Sequence, residues 1–301
     1  MRKRFVILGI MALFMLTCRF NAYAQAAAPG RGGDATQQDS STSLDKWDSA
    51  LPADKAVYAG KKSRPAPRRD LSGTWDGITE GGTQPKGSKN FPDDADPKHN
   101  VQPPYTSLGK DARMNNKPNE GEKQFPIWLS NDPVASCEPP GFPRTDLFNL
   151  KAMMLIQTPN YVAWLNQFTN VYRIIWTDGR ELPKDPVTRF YGYSVGHWED
   201  DYNFVVNTVG MDDKTWLDNV GRPHTSDMRV TERFHRVNHD ILELTVTIDD
   251  PKFYSTSWAA ADKLIFHLLP PDFDMGESFC SPSEMEKYKK AVRQPDFNDS
   301  K

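Results

Sequence analysis

Residues 228–248 read MRVTERFHRVNHDILELTVTI, two alternating runs separated by a polar turn at 238–240. In the first run Phe234 shares one face with Glu232, whereas His235 shares the other face with Arg233. Alternation with a period of two on both sides of a short Asn and Asp segment is typical of a β-hairpin. This stretch therefore predicts two paired strands, Met228–Val237 and Ile241–Ile248.

The same pattern extends outward in both directions along the chain. A first strand is predicted at Leu71–Gly77, and six more follow at Met153–Gln157, Val162–Phe168, Val171–Trp176, Tyr191–His197, Asn203–Val209 and Lys263–Leu269. About nine strands result, joined mostly by short turns, and no helical period is long enough for βαβ crossovers. The sequence predicts a mainly β fold, an antiparallel meander that closes into a barrel or curls into a β-sandwich.

Two resemblances follow from short motifs. Gly73-Thr74-Trp75 on the first strand resembles the Gly-x-Trp that opens lipocalin-type barrels, which implies a lipocalin-like barrel. Residues 171–254, with IWTDGR at 175–180, GHWEDD at 196–201 and WLDNVGRPH at 216–224, resemble an uncharacterised family of exported bacterial proteins. The second resemblance implies export and no particular activity.

The N-terminus indicates the compartment. A basic start at residues 1–4, an apolar run Phe5–Leu16 and the small-x-small site Ala22-Tyr23-Ala24 are typical of a secretory signal peptide. Residues 1–24 are therefore expected to be removed, giving a secreted or periplasmic protein that starts at Gln25. The apolar run is shorter than a membrane span requires, so no span is expected.

Composition divides the rest of the chain. Residues 25–70 are rich in Ala, Gly, Ser, Asp and Gln, which favours a disordered arm. A single β domain is expected over 71–285, interrupted by a long irregular insertion at 81–122 with a helical turn from Thr106 to Met114. Residues 286–301 are expected to form a flexible C-terminal tail.

Two cysteines remain after export, Cys137 and Cys280, because Cys18 lies in the signal peptide. An even pair in an oxidising compartment most simply forms one disulfide, here predicted between Cys137 and Cys280. No metal site is expected: His197, His235 and His267 fall on predicted strands, but neighbouring cations and the lack of compact His spacing disfavour zinc.

Charge excludes several function classes. The formal net charge is −3 and the two signs are interleaved, which argues against a nucleic-acid partner. No glycine-rich phosphate loop is present, so no cofactor is expected. Gly192–Gly196 matches the G-x-S-x-G pattern of hydrolases, but Ser194 is predicted in the middle of a strand and not at a strand-to-helix turn.

The main candidate site is the connection between two predicted strands at 211–227. His224 could act as a general base oriented by Asp218, with Arg222 binding an anionic or carbonyl group and Trp216 providing a stacking face. Loops on a β scaffold often carry such groups. The alternative is structural: turn-forming Asp and Asn, local ion pairs and a Trp that covers the core.

A second turn offers the same residue types. Asp178 is an alternative carboxylate for the His224 base, and Arg180 is a second candidate for ligand binding. The expected rim of a barrel mouth consists of the aromatic residues Trp176, Trp198, Trp216 and Tyr193.

Three function classes remain open from these residues. The first is a protein that binds a small amphipathic or glycan-like ligand at the barrel mouth. The second is a cofactor-free hydrolase, lyase or isomerase that uses the His/Asp pair. The third is a structural or interaction module of the cell envelope.

Overall fold

The computed structural model describes residues 63–77, 103–120, 124–147 and 152–293. All of them belong to one compact unit. The expected signal peptide, the new N-terminus at Gln25 and most of the expected arm lie outside the described residues. Within the described residues, no helix combines the length and the apolar character that crossing a bilayer requires.

Nine strands form one closed barrel in which each strand pairs with its neighbours in the sequence and the last pairs with the first. The strands are β1 (Gly73–Asp76), β2 (Met153–Gln157), β3 (Tyr161–Asn166), β4 (Val171–Trp176), β5 (Tyr193–Trp198), β6 (Asn203–Val209), β7 (Arg229–Arg236), β8 (Ile241–Asp249) and β9 (Trp258–Leu268). The expected mainly β fold is confirmed, and of the two expected architectures the barrel is the one formed. Closure leaves no open sheet edge.

One pair of strands differs from the expected antiparallel meander. Strands β4 and β5 are parallel, with Ile175 opposite Ser194 and Trp176 opposite Val195. The connection between them spans residues 177–192, far longer than a hairpin loop. Parallel neighbours need such a crossover because the chain must return along the barrel before the next strand begins.

Alternation along the strands fills the barrel interior. On β7 the buried residues are Val230, Glu232, Phe234 and Arg236, as the pattern of the opening hairpin predicts. The largest fully buried apolar side chains include Trp75, Trp164, Phe204, Phe234 and Phe266. Trp75 donates from Nε1 to the Leu71 carbonyl, and the Arg236 guanidinium carbon lies 4.5 Å from its ring centre. The interior is therefore packed by aromatic side chains.

The two ends of the barrel differ. At one end, where β6 ends and β7 begins, lie residues 103–120 and 124–147, with helices α1 (Ser107–Asn115) and α2 (Arg144–Leu147); we call this the capped end. The Thr106 hydroxyl accepts from the Gly109 amide and so caps α1, close to the predicted helical turn. A Cβ on Gly109 would lie 2.2 Å from the Phe253 carbonyl oxygen, so only glycine allows α1 to approach this closely.

The opposite end carries the turns after β2 and β7, and we call it the turn end. Residues 63–70, assigned to the arm by composition, lie against this end. The Arg69 amide donates to the Asp201 carbonyl, and the His239 amide donates to the Arg64 carbonyl. These last residues of the expected arm are therefore part of the folded unit.

Cys137 and Cys280 form a disulfide with a Cα separation of 5.3 Å, as predicted. The bond joins the 3₁₀ turn Pro133–Ser136 to the start of helix α3 (Pro282–Arg293). Helix α3 was not predicted and extends into the expected tail. Its exposed surface explains why: it has no buried residue, so it lacks the apolar stripe by which surface helices are identified.

Candidate functional site

The connection between β6 and β7, the main candidate from the sequence, is buried at the capped end. Trp216, Asp218, Arg222 and His224 are each at most 5% exposed. The Asn116 side chain donates to the Gly221 carbonyl from the cap, and the Tyr254 hydroxyl donates to the Pro223 carbonyl from the other side. The loop therefore lies between the cap and the barrel and not at an open mouth.

Asp218 and Arg222 form a buried ion pair. Oδ2 of Asp218 lies 2.5 Å from Nη1 of Arg222, and Oδ1 accepts from the backbone amides of Val220 and Arg222 at 3.1 and 3.0 Å. These contacts close the loop on itself. A carboxylate with three donors fixes the backbone of a turn.

His224 belongs to a second, separate network. Nδ1 lies 3.1 Å from the Thr225 carbonyl oxygen, and Nε2 lies 2.8 Å from the Thr215 hydroxyl. A carbonyl only accepts, so Nδ1 carries the proton of the neutral ring, and Nε2 competes for the single Thr215 hydroxyl proton with the Asp212 carbonyl oxygen, 2.9 Å from that hydroxyl. Burial lowers the pKa of His224 and favours this neutral form, although the Thr225 carbonyl and nearby carboxylates oppose the shift.

The three residues expected to act as an acid/base group do not come together. His224 and Asp218 bind different partners at the capped end, whereas Asp178 follows β4 at the turn end. The described hydrogen bonds of His224 go to Thr215 and Thr225, and those of Asp178 go to Arg180, so neither carboxylate orients the imidazole.

The residues of that second turn do form a cluster with Tyr193. The Arg180 guanidinium carbon lies 3.7 Å from the centre of the Trp176 ring, and Nη1 donates to the Tyr193 hydroxyl at 3.1 Å. Arg180 also donates to both carboxylate oxygens of Asp178, and this hydrogen bonding lowers the pKa of Asp178. The cation thus covers one face of the ring that was expected to stack on a ligand.

The remaining candidates occupy other positions. Trp198 ends β5 and packs on Phe204, with ring centres 5.1 Å apart. Ser194 is buried within β5 and lies 2.9 Å from the Thr208 hydroxyl, which confirms its position in a strand. Among the described residues, no group of three or more His, Cys, Asp or Glu side chains is arranged to hold a metal ion.

A buried charge cluster that sequence reasoning missed lies inside the capped end. Arg173 on β4 donates from Nη1 and Nη2 to Glu232 on β7 at 2.9 and 2.7 Å. Asp146 on α2 lies 3.9 Å from Nη2 of Arg173. The rings of Phe142 and Trp164 cover the guanidinium, at 4.0 and 5.3 Å from its carbon. The sequence feature that could have indicated this cluster was Glu232, a charged residue on the same strand face as Phe234.

A concave surface lies at the turn end, on the outer side of β1 and β2. This groove encloses about 530 Å³, within the range of ligand pockets, roughly 300–1,000 Å³. Its apolar wall is formed by Met154, Ile156, Leu268, Leu269, Pro270 and Pro271. Ile156 is 45% exposed although it lies on a strand. The groove therefore presents apolar surface to solvent in a concave shape.

Gly73, from the Gly-x-Trp motif, lines the same groove. Its φ is +145°, a conformation that favours glycine, and a Cβ there would lie 2.5 Å from Cδ1 of Leu268. The glycine thus lets β1 approach the end of β9, and it leaves the groove without a side chain at this position.

The polar side chains of the groove lie mainly at one end. Nη2 of Arg64 lies 2.5 Å from Nε2 of His239, and Nδ1 of His239 lies 2.7 Å from Oδ1 of Asp240. Ser63 donates to Oδ2 of Asp240 at 2.7 Å. Asp240 thus pairs with the imidazole and the hydroxyl, and the Arg64 guanidinium stays exposed beside the apolar wall.

Comparison with protein-family models, with curated proteins and with solved structures gave no match to this chain.

Proposed function

We propose that this protein binds a small amphipathic ligand in the groove at the turn end of the barrel. One observation carries the proposal: a concave site of about 530 Å³ combines a continuous apolar wall with a single charged end. Ligand pockets commonly have this composition, mostly apolar with a few polar groups that orient the ligand.

The apolar wall supplies the affinity. Removing apolar surface from water contributes roughly 25 cal/mol per Å². Ile156 is the most exposed large apolar side chain of β2, and Met154 lies on the same outer face of that strand. A hydrocarbon chain lying along this face would cover both side chains together with Pro270 and Pro271.

The charged end selects the head group. Among the described residues no carboxylate lies within ion-pair distance of Arg64, and the guanidinium hydrogen bonds to the His239 ring. A guanidinium presents several donors in one plane and binds a carboxylate or phosphate through two of them. An anionic head group is therefore the best match.

Of the two ligand classes expected from the sequence, the amphipathic one has more support. Glycan sites use aromatic faces, and the described lining residues include no Trp, Tyr or Phe. The burial of His224 and Asp218 likewise favours binding over a cofactor-free hydrolase, lyase or isomerase that uses them, because a general base must reach its substrate.

The test is a calorimetric titration with decanoate and with decyltrimethylammonium. Ile156→Asp should weaken decanoate binding by about tenfold or more, since burying one such side chain is worth roughly 1.5–3 kcal/mol. Ile265→Asp is the matched control, because Ile265 is 38% exposed on β9 and does not line the groove. Arg64→Gln should weaken decanoate and leave the ammonium compound unaffected.

Two results would refute the proposal: no saturable binding of either amphiphile to the unmodified protein, or equal loss in the Ile156 and Ile265 variants. A ligand of this kind also fits the secreted or periplasmic location that we propose from the signal peptide. Intact mass of the exported protein should correspond to a chain starting at Gln25.

A further inference from the structure

Asp146 is a carboxyl group in an environment that does not suit a carboxylate. Its side chain is 1% exposed, and neither carboxyl oxygen accepts a hydrogen bond from the described protein groups. Its nearest cation is Nη2 of Arg173, at 3.9 Å, beyond hydrogen-bond distance. A buried carboxylate without donors is strongly unfavourable.

Arg173 cannot compensate two carboxylates. It donates from both Nη atoms to Glu232, and the Phe142 and Trp164 rings cover its plane. With Asp146 ionised, the cluster would hold one cation and two anions. A net negative charge would then lie in the barrel interior.

The groups that face Asp146 come from three other elements. Glu232 on β7 lies 2.7 Å from the same Nη2 atom of Arg173 that Asp146 approaches at 3.9 Å, Arg173 lies on β4, and Tyr191 precedes β5. On helix α2 itself, Arg144 is engaged by Asp132 through two bonds of 2.8 and 2.9 Å. Two ionised carboxylates beside one guanidinium repel each other and have no hydrogen to share, so a proton on one of them replaces the repulsion by a hydrogen bond.

We propose that the capped end of the barrel is a proton-binding site, in which a protonated Asp146 donates a hydrogen bond to Glu232 and Arg173 neutralises Glu232. The only bond formed is the O–H bond of Asp146, and the proton comes from solvent as α2 docks. The cluster then has no net charge. The two carboxyl groups then share one hydrogen bond instead of repelling each other.

The direction of the pH dependence follows from this arrangement. Burial, and next the charge of Glu232, raise the pKa of Asp146 well above its usual range, against the opposing effect of Arg173. The folded protein therefore keeps a proton that the unfolded chain has lost. The stabilisation contributed by protonated Asp146 should be fully present below about pH 4, the ordinary Asp range, and should fall as pH rises towards the folded-state pKa of Asp146.

The experiment compares urea unfolding of the mature, disulfide-bonded protein with that of Asp146→Asn between pH 4.5 and 8.5. Asparagine has the same shape and donates to Glu232 without titrating. At each pH the unfolding equilibrium constant of the unmodified protein is divided by that of Asp146→Asn. This ratio should increase by up to about tenfold for each unit by which the pH rises. Asp185→Asn, an exposed position in the β4–β5 connection, is the control and should follow the unmodified protein.

A second variant and a direct measurement keep the proposal testable if Asp146→Asn does not fold. Glu232→Gln leaves Arg173 free to pair with Asp146, so the fall in stability should move to lower pH. Infrared spectra of the unmodified protein at about pH 6, two units above the ordinary Asp pKa, should retain a protonated-carboxyl band. Absence of that band, or identical pH dependence in the unmodified protein and Asp146→Asn, would overturn the proposal.

Discussion

Replacing Asp218 tests whether the loop between β6 and β7 is scaffold or site. In Asp218→Ala the Arg222 guanidinium, 1% exposed, loses the Asp218 carboxylate, and the amides of Val220 and Arg222 lose their acceptor. Removing one partner of a buried ion pair costs about 3–5 kcal/mol. For a domain of this size about 1 kcal/mol shifts the melting temperature by roughly 2–4 °C, so a fall of about 6–20 °C is expected.

The matched control is Asp178→Ala, which breaks another Asp and Arg pair, here with side chains 28% and 37% exposed. Exposed pairs contribute little, so its melting temperature should hardly change. The double variant Asp218→Ala, Arg222→Met should recover the part of the loss due to the broken ion pair and not the part due to the two amides.

Calorimetry or thermal circular dichroism measures all three variants. Equal melting temperatures for Asp218→Ala and Asp178→Ala would refute the structural role of the buried pair. If Asp218→Ala lost decanoate binding without losing stability, the ligand site would instead lie in this loop.

Three further predictions concern the core, the disulfide and His224. Trp75→Ala, at a fully buried position, should lower the free energy of unfolding by about 3–5 kcal/mol in urea titrations; a loss below 1 kcal/mol would contradict the packing described. Thiol titration of the denatured, unreduced mature protein should find no free thiol, and Cys280→Ser should lower stability by about 2–5 kcal/mol. The lowered pKa of His224 means that the unfolded chain takes up a proton first, so the contribution of His224 to stability should fall as pH drops below about 6.5. His224→Asn keeps a donor for the Thr225 carbonyl and should flatten that fall; an unchanged pH profile would show that another group titrates.

The fold was predictable where the information is local. Alternation along residues 228–248 fixes both strands of the hairpin and the face that Glu232 occupies, and the structure agrees. The parallel pairing of β4 with β5 was not predictable, because it depends on where a long connection returns. The residues of β4 and β5 themselves do not determine the course of this connection.

The position of the candidate residues was harder to predict for the same reason. In the sequence Asp218 and His224 look like exposed loop residues. In the structure residues 103–120 and 124–147 cover their loop, and these residues lie about a hundred positions away in the chain. Arg173 and Glu232 are 59 positions apart and meet only across the closed barrel. The groove likewise combines five separate segments, so no single motif marks it.

The parallel pair β4 and β5 has a consequence for the number of strands. Strands that alternate in direction around a ring can close only if their number is even, whereas this ring has nine. With one parallel pair in the ring, the last strand runs opposite to the first, so β1 and β9 can pair antiparallel. Shortening the connection at 177–192 to a hairpin would force β5 to reverse. A nine-membered ring would then be geometrically inconsistent, and the barrel would have to gain a strand, lose one or open.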